Sequence, residues 1–433
     1  MVLSINKYKK YLHFKPSNIE WIGEIPAGWH TRRFRFIFSF NNGLNITKEN
    51  LQDSGVPCVN YGEIHSKYGF EVIPGTHVLK CVDDKYLASS KKSLVNQGDF
   101  IFADTSEDIE GSGNFTYVNS NIPAFAGYHT IIARPIKSTN SRYLAYLFDS
   151  ISFRTQIRSE VAGIKVYSIT KKIIKDAIVL LPPLPEQQAI ASFLDRETAR
   201  INRIIEKQTR LIELLKEKRS ALITQAVTRG LDPNAKMKDS GVEWIGEIPD
   251  EWEVRKLKFI CRVQTGDKDT VDSMTEGIYP LFVRSQIVER IDVFTHDCEA
   301  VLTAGDGVGV GKVFHYYNGR FSFHQRVYLF SCFKNIIGKY LYYFLKENFY
   351  KVALEGRAKS TVDSLRMPLV LNFILSLPPL PEQQAIVDFI DRETVKIDTL
   401  ISKIEKQIDL LNEYKQSLIT AAVTGKIDVR NVQ

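Results

Sequence analysis

The chain has 433 residues, 44% hydrophobic and 25% charged, with a formal net charge of +7, a length and balance that fit two or three ordinary globular domains. No apolar run reaches the roughly 18 residues of a membrane span, and the N-terminal stretch MVLSINKYKKYLHFKPS lacks the apolar core of a signal peptide. Five scattered cysteines with no CxxC pair argue against a disulfide framework or zinc site and for a reducing cytoplasm; the modest positive charge permits nucleic-acid binding without demanding it.

The first recognisable segment is EWIGEIPAGW at residues 20–29. A segment rich in β-branched and aromatic residues follows, with Gly, Asn and Asp punctuation. It predicts strands at Asp99–Ala103 and His129–Pro135 and a helix over Ser141–Ser159. At 182–198 comes PPLPEQQAIASFLDRET, and there the strand-like alternation stops. Ile190, Leu194, Ile201, Ile204, Leu211, Leu215 and Leu222 then recur in steps of four and three, a heptad seam interrupted by Glu197, Gln208 and Lys218. Pro185 fixes the start of this helix and Gly230 its end. A span such as 186–229 runs about 65 Å.

The order then repeats. EWIGEIPDEW stands at 243–252, and a second variable segment predicts strands at Ala300–Thr303, Lys312–Tyr316 and Arg326–Phe330 and a helix over Ile337–Leu354. PPLPEQQAIVDFIDRET at 378–394 opens a second long helix from Pro381 to the Thr424-Gly425 pair. Its seam reads Ile386, Ile390, Ile397, Leu400, Ile404, Leu411, Leu418, interrupted by Glu393, Gln407 and Tyr414. The opening motifs are offset by 223 (243 − 20), and the PPLPEQQ and helix-end motifs by 196 (378 − 182). The slack of 27 (223 − 196) therefore falls in the variable segments. A period near 200 residues means duplicated domains rather than a solenoid.

A single helix of this length needs a partner in water, and its own copy is the obvious one. Residues 184–230 carry nine Lys/Arg against six Asp/Glu, residues 380–426 six against eight, as a hetero-pair could. An antiparallel pair would relate the halves by a pseudo-two-fold. The expected architecture is α+β: two α/β domains joined by two long helices in an antiparallel coiled coil. Its boundaries are 1–181 for the first domain, 182–230 for the first spacer helix, 231–377 for the second opening motif and domain, and 378–433 for the second helix and tail.

No catalytic or metal-binding pattern stands out. The Gly-rich run Thr303–Lys312 matches neither a P-loop nor GxGxxG. It reads as a tight connection that lets backbone approach something closely, or as a loop whose amides and Lys312 meet a phosphate. The eight histidines form no HExxH, and no methyltransferase motif is visible.

The ordered set EWIGEIP…W, variable segment, LPPLPEQQAIAxFLDxET and long helix ending LITxAVTG, all repeated, resembles the specificity subunit of type I restriction–modification systems over nearly the full chain. The resemblance implies a non-catalytic, cytoplasmic DNA-recognition subunit. Each variable segment would be a target recognition domain reading one half of a split sequence in double-stranded DNA, with the helices setting the gap. Two methyltransferase subunits and restriction subunits would be the partners. The chain itself would hold no cofactor; S-adenosylmethionine, ATP and Mg would belong to the partners, which methylate adenine N6 or cut unmethylated DNA.

Base identity is read in the major groove through polar side chains on loops. The expected DNA contacts are Ser106, Asn114, Tyr117, His129, Lys165 and Tyr167 in the first domain. In the second they are Arg284, Lys312, Tyr316, His324, Arg357, Lys359 and Ser360. By sequence, AGYHTIIARP lines up with FSFHQRVYLF, which matches His129 to His324; both could instead be core-facing. The four tryptophans, Trp21, Trp29, Trp244 and Trp252, either anchor each domain to the helix ends or form a docking surface for the methyltransferase. Glu186, Gln187, Glu382 and Gln383 of the duplicated PPLPEQQ could serve the same docking, since two copies of one partner need two equivalent patches. Rival readings are an enzyme with its own centre in a variable segment, and a scaffold that binds DNA without sequence preference.

Overall fold

The computed structural model describes residues 5–20, 22–161, 163, 166–353 and 365–432. The chain forms two compact units: Met1–Lys207 with Lys406–Gln433, and Gln208–Glu405. Each unit therefore holds the start of one long helix and the end of the other. Among the described residues no helix is long and apolar enough to cross a membrane.

The first unit is built on a sheet in the order Phe38–Asn42, Thr130–Pro135, Phe100–Ala103, Phe115–Val118, Glu71–Val72, antiparallel except for the last pair. The central strand is apolar at every position because both its faces are covered. Phe100 and Phe102 join the core that includes the helices, while Ile101 and Ala103 face a second core shared with a smaller sheet. The expected helix over Ser141–Ser159 is two helices, Ser141–Asp149 and Ile151–Glu160. The break is at buried Ser150, whose Oγ accepts from the Phe153 amide at 3.3 Å and so caps a new helix start.

The second unit carries a sheet in the order Arg262–Thr265, Val327–Ser331, His296–Ala304, Phe314–Phe323, Tyr279–Phe282, Glu289–Ile291. The helix Gly338–Ala353 covers it; the expected last residue, Leu354, lies outside the described residues. In each unit a strand after the opening motif pairs antiparallel with the strand that leads into PPLPEQQ: His30–Arg33 with Ile178–Leu181, and Glu253–Lys256 with Ile374–Leu377. These ladders deliver the chain to the helix starts at matching points.

The long helices span Leu184–Arg229 and Leu380–Val423, 46 and 44 residues, with Pro185 and Pro381 in their first turns where no amide partner is lost. In the first unit Asn202 takes a hydrogen bond from Lys415 Nζ at 3.1 Å, and Arg196 reaches the Val432 carbonyl at 3.2 Å. In the second unit Arg219 pairs with Asp398 at 3.1 Å, and Gly230 lies against Glu382. Within each unit these contacts join the start of one long helix to the end of the other or to the residues just beyond it.

Most of the expected seam is buried, including Ile190, Leu194, Ile201, Ile386, Ile390, Ile397, Ile404, Leu411 and Leu418, and it departs at two leucines. Leu211 and Leu400 are exposed, while Ile212 and Ile401 are buried. Burial follows Ala191, Leu194, Thr198, Ile201, Ile205, Gln208, Ile212 and Leu215 in the first helix, and Val387, Ile390, Thr394, Ile397, Ile401 and Ile404 in the second. The period of four and three was legible; what it missed is that Thr198 and Thr394 are buried between Leu194 and Ile201 and between Ile390 and Ile397. Both threonines satisfy their hydroxyls on backbone within the helix, Thr198 on Leu194 at 2.6 Å and Thr394 on Ile390 at 2.8 Å, which lets them be buried.

Both helices end on a glycine in the left-handed region, Gly230 (φ 75°) and Gly425 (φ 70°). A β-carbon at Gly425 would lie 2.3 Å from the Pro26 ring, whereas at Gly230 the nearest atom would be Glu382 Oε1 at 3.0 Å. Gly425→Ala is therefore expected to cost about 2–3 kcal/mol, from backbone strain plus a rigid clash, and Gly230→Ala about 1 kcal/mol. Denaturant midpoints of the two variants check the order; equal losses would contradict the packing given for Gly425.

Candidate nucleic-acid interface

In the first unit a cleft of about 810 Å³ opens beside the loop that follows Phe100–Ala103. Ser106 and Tyr167, far apart in sequence, become neighbours in a two-residue ladder at its edge. His65 forms part of the floor. Its Nε2 lies 2.9 Å from the Thr105 carbonyl and therefore carries the proton, which leaves Nδ1 to accept from Asn114 Nδ2 at 2.9 Å. Asn114 Oδ1 in turn accepts from Arg154, which also holds Asp149 at 3.0 Å. Asn114 thus lines the cleft mainly as the group that orients His65. His129 stands at the rim with a left-handed backbone (φ 55°), its Nδ1 3.2 Å from Asp104 Oδ1 and its ring edge-on to Tyr61.

From this cleft a groove passes His129 to Lys171. Beyond it lies a shallow basic surface formed by Arg35, Lys172 and Lys175. Burial and neighbouring Lys175 hold the Lys171 ammonium below its ordinary value.

Four expected contacts need correction, the first being Ser106, which is buried with its Oγ accepting from the Asp108 amide at 3.4 Å. Tyr117 is buried, its ring tilted against Phe100 at 5.5 Å, so it packs the core. Tyr316 is half-buried against Tyr342 and donates its hydroxyl to Glu299 at 2.8 Å; burial and that carboxylate push it up to about 12. His324 is 2% exposed, with Nδ1 accepting from the Arg326 amide at 2.9 Å. Burial lowers its pKa, as suits a neutral ring used as an internal acceptor. Lys165, Arg357, Lys359 and Ser360 lie outside the described residues.

In the second unit the polar centre is Asp306. Its Oδ1 accepts from Arg284 Nη1 at 2.9 Å and its Oδ2 from Arg326 Nη1 at 2.6 Å. Burial opposes the charge of this carboxylate, but the two arginines more than offset it and hold the group below the ordinary carboxylate value. The close approach expected of the Gly-rich run occurs within the domain: a β-carbon at Gly309 would sit 2.5 Å from the Arg284 carbonyl. Lys312 is exposed, and its carbonyl accepts from Gln286 Nε2 at 3.2 Å.

Backbone register aligns the polar centres of the two units better than residue type does. Asp104 donates its amide to the His129 carbonyl at 3.1 Å, and Gly305 donates to that of Arg326 at 2.8 Å. The Asp104 carbonyl accepts from Ile169 and the Gly305 carbonyl from Leu365, both at 2.8 Å. His129 therefore corresponds to Arg326, two residues from the sequence match with His324. Arg326 was missed because a histidine in each segment invited pairing by type; a repeat offset of 196 from Ile169 to Leu365 (365 − 169) was the available signal.

The side chains expected to dock a partner are mostly committed inside their own unit. Trp29 is buried and donates Nε1 to Glu186 at 3.0 Å, an oxygen that Tyr11 also binds at 2.5 Å. Trp252 is buried and donates to Glu382 at 2.8 Å. Gln187 takes the Asn140 amide at 2.9 Å, and Gln383 takes that of Ile337 at 2.8 Å. The half-buried Trp244 packs on Phe373 at 5.4 Å, and Trp21 lies outside the described residues. Buried and hydrogen-bonded, Trp29, Trp252, Glu186, Gln187 and Gln383 have no face left for a partner. They latch the opening motif and the domain helix to the start of the long helix. The same latch recurs where Arg142 and Tyr146 hold Asp195, each at 2.7 Å, and where Lys339 and Tyr343 hold Asp391.

Two units of one plan, each with a polar centre at a strand end and a share of both long helices, define a duplicated two-domain protein. Residues 26–214 and 249–410 match the family described as type I restriction modification DNA specificity domain, and the chain belongs to that family. It is 26% identical over 320 residues to the type I restriction enzyme MjaVIII specificity subunit of Methanocaldococcus jannaschii, covering 66% of this chain and 71% of that one. With the putative MjaX specificity subunit of the same organism it shares 25% identity over 462 residues, covering 99% and 100%. The EcoKI specificity subunit of Escherichia coli is 22% identical, with 94% and 90% covered. Among solved structures, a chain from work on complex assembly and conformational transition of the type I R-M system superposes with a TM-score of 0.70 at 15% identity, covering 92% of this chain and 98% of that one. The HsdS subunit of Thermoanaerobacter tengcongensis gives 0.51 at 15% identity, covering 93% and 98%. The chain is thus a specificity subunit, a recognition component and not itself a catalyst.

Proposed function

We propose that this chain binds a split target in double-stranded DNA, one half-site per recognition domain (residues up to 181 and 231–377). In this reading the long helices act as an antiparallel coiled-coil spacer that sets the gap. Two methyltransferase subunits and the restriction subunits join it, for adenine-N6 methylation or for cleavage of unmethylated DNA. The observation that carries the reading is the strand-end arrangement found in both units: an acid-held, solvent-facing polar side chain at the same backbone position, His129 on Asp104 and Arg326 on Asp306. A half-site reader needs such a group on a rigid element, and a split site needs two. The four-and-three burial of both helices supports a stiff spacer.

The test is genome-wide mapping of N6-methyladenine in a methylation-free host that expresses the chain with its cognate methyltransferase subunit. The expected result is a motif of two short specified halves around a fixed gap, absent with either protein alone. Methylation without any such motif would overturn the proposal.

The basic surface of Arg35, Lys172 and Lys175 suits the phosphate backbone, which is gripped by charge without regard to sequence. Lys172→Ala with Lys175→Ala is expected to weaken all sequences alike and to lower the salt slope of binding by about 2, roughly one per lost contact. Titrations of duplex DNA at several salt concentrations measure this; an unchanged slope would remove these lysines from the interface.

A further inference from the structure

We propose that Arg326 reads a guanine in the half-site of the second recognition domain, with Asp306 as its positioning residue. The inference rests on the DNA-recognition reading above and deepens it to a base and an atom set. Arg326 is 60% exposed at its side chain, and only Nη1 is engaged, on Asp306 Oδ2. Among the described residues, Nε and Nη2 carry no side-chain partner, so two parallel donors remain for O6 and N7 of guanine, the commonest bidentate base contact. A fork is useful for readout only if its plane is fixed. Asp306 does this from a nearly buried position, and Arg284 on its other oxygen keeps the carboxylate from swinging.

The surroundings favour a base over a phosphate. Asp306 and Glu289 line the cleft beside Arg284, and Asp269 acts on Arg326 electrostatically. A phosphate brought to this guanidinium would be repelled by Asp306 and Asp269, whereas the edge of a neutral base carries no net charge to repel. The first domain repeats the logic, with Asp104 on His129 and with Glu107 and Asp108 lining the cleft, while Arg35, Lys172 and Lys175 form a separate surface. Charges that grip the backbone and groups that read bases are thus segregated.

The experiment is the same methylation mapping, on the chain with its methyltransferase subunit, for wild type, Arg326→Lys, Asp306→Asn and His129→Ala. Lysine keeps the charge and a phosphate contact but cannot present a planar fork. Arg326→Lys is expected to relax one guanine position in one half of the motif, with a loss of preference of roughly tenfold to hundredfold, and to leave the other half intact. Asp306→Asn is expected to relax the same position more weakly. His129→Ala is expected to relax the opposite half, which assigns each half to its domain. A motif unchanged by Arg326→Lys, a uniform fall across all positions, or relaxation at a base other than guanine would overturn the assignment while the split-target reading stood. No split motif from the wild-type pair would overturn both.

Discussion

Replacing Phe148 by alanine is expected to destabilise the first unit by about 3–5 kcal/mol, the range for removing a fully buried aromatic ring. Phe148 is 0% exposed and lies at the centre of an aromatic cluster, with ring centroids 4.7 Å from Phe153, 4.9 Å from Phe100, 5.1 Å from Phe34 and 5.7 Å from both Phe102 and Phe115. Edge-on and tilted rings of this kind add to simple burial. The cluster also backs the strand Phe100–Ala103, whose end carries Asp104 and, through it, His129. The variant should therefore lose discrimination in the first half-site even at temperatures where it stays folded. Phe148→Leu keeps most of the volume and should lose about 1–1.5 kcal/mol. Denaturant unfolding followed by circular dichroism gives both values, and an alanine variant within about 1 kcal/mol of wild type would refute this account of the core.

Trp252→Ala should have a comparable effect on the second unit, again about 3–5 kcal/mol. The indole is 0% exposed, donates to Glu382 at 2.8 Å and packs against Gly230. One side chain thus ties the opening motif to the start of one long helix and the end of the other. Trp252→Phe separates the contributions: it keeps the aromatic packing but removes the Nε1 donor from a half-buried carboxylate. A further 1–2 kcal/mol effect is expected from that loss alone. A phenylalanine variant as unstable as the alanine variant would assign the whole effect to the hydrogen bond. A fully stable alanine variant would show that the latch at this helix start is redundant. The corresponding bond in the first unit, Trp29 to Glu186, is shared with Tyr11, so losing the donor there leaves Glu186 one partner.

Much of this molecule was legible before folding, because duplication writes long-range information as local text. The repeated EWIGEIP, PPLPEQQ and LIT segments gave two copies of one plan, the long helices and the glycines that end them. Propensity and periodicity act locally, so helix starts at Pro185 and Pro381 and ends at Gly230 and Gly425 follow from the residues present. The strands Phe100–Ala103 and Thr130–Pro135 were equally accessible, since a run of β-branched and aromatic residues signals a strand wherever it packs.

Only the tertiary structure decided the remainder, and in each case a contact between distant segments was responsible. Whether Leu211 or its neighbour Ile212 is buried, and likewise Leu400 or Ile401, depends on tertiary packing, and in both helices the isoleucine is the one taken out of water. Whether Tyr117, Tyr316 or His324 meets solvent depends on what the opposite strand or helix covers. Which residue of the second domain answers to His129 is fixed by the ladder that sets Arg326 beside Gly305, and a one-dimensional match of histidines could not see it. The tryptophans and the PPLPEQQ carboxylates announced themselves by repetition, but repetition marks a shared constraint without saying whether it is internal or external. The Trp29–Glu186 and Trp252–Glu382 bonds made it internal, because a buried charge must find its donors within the fold.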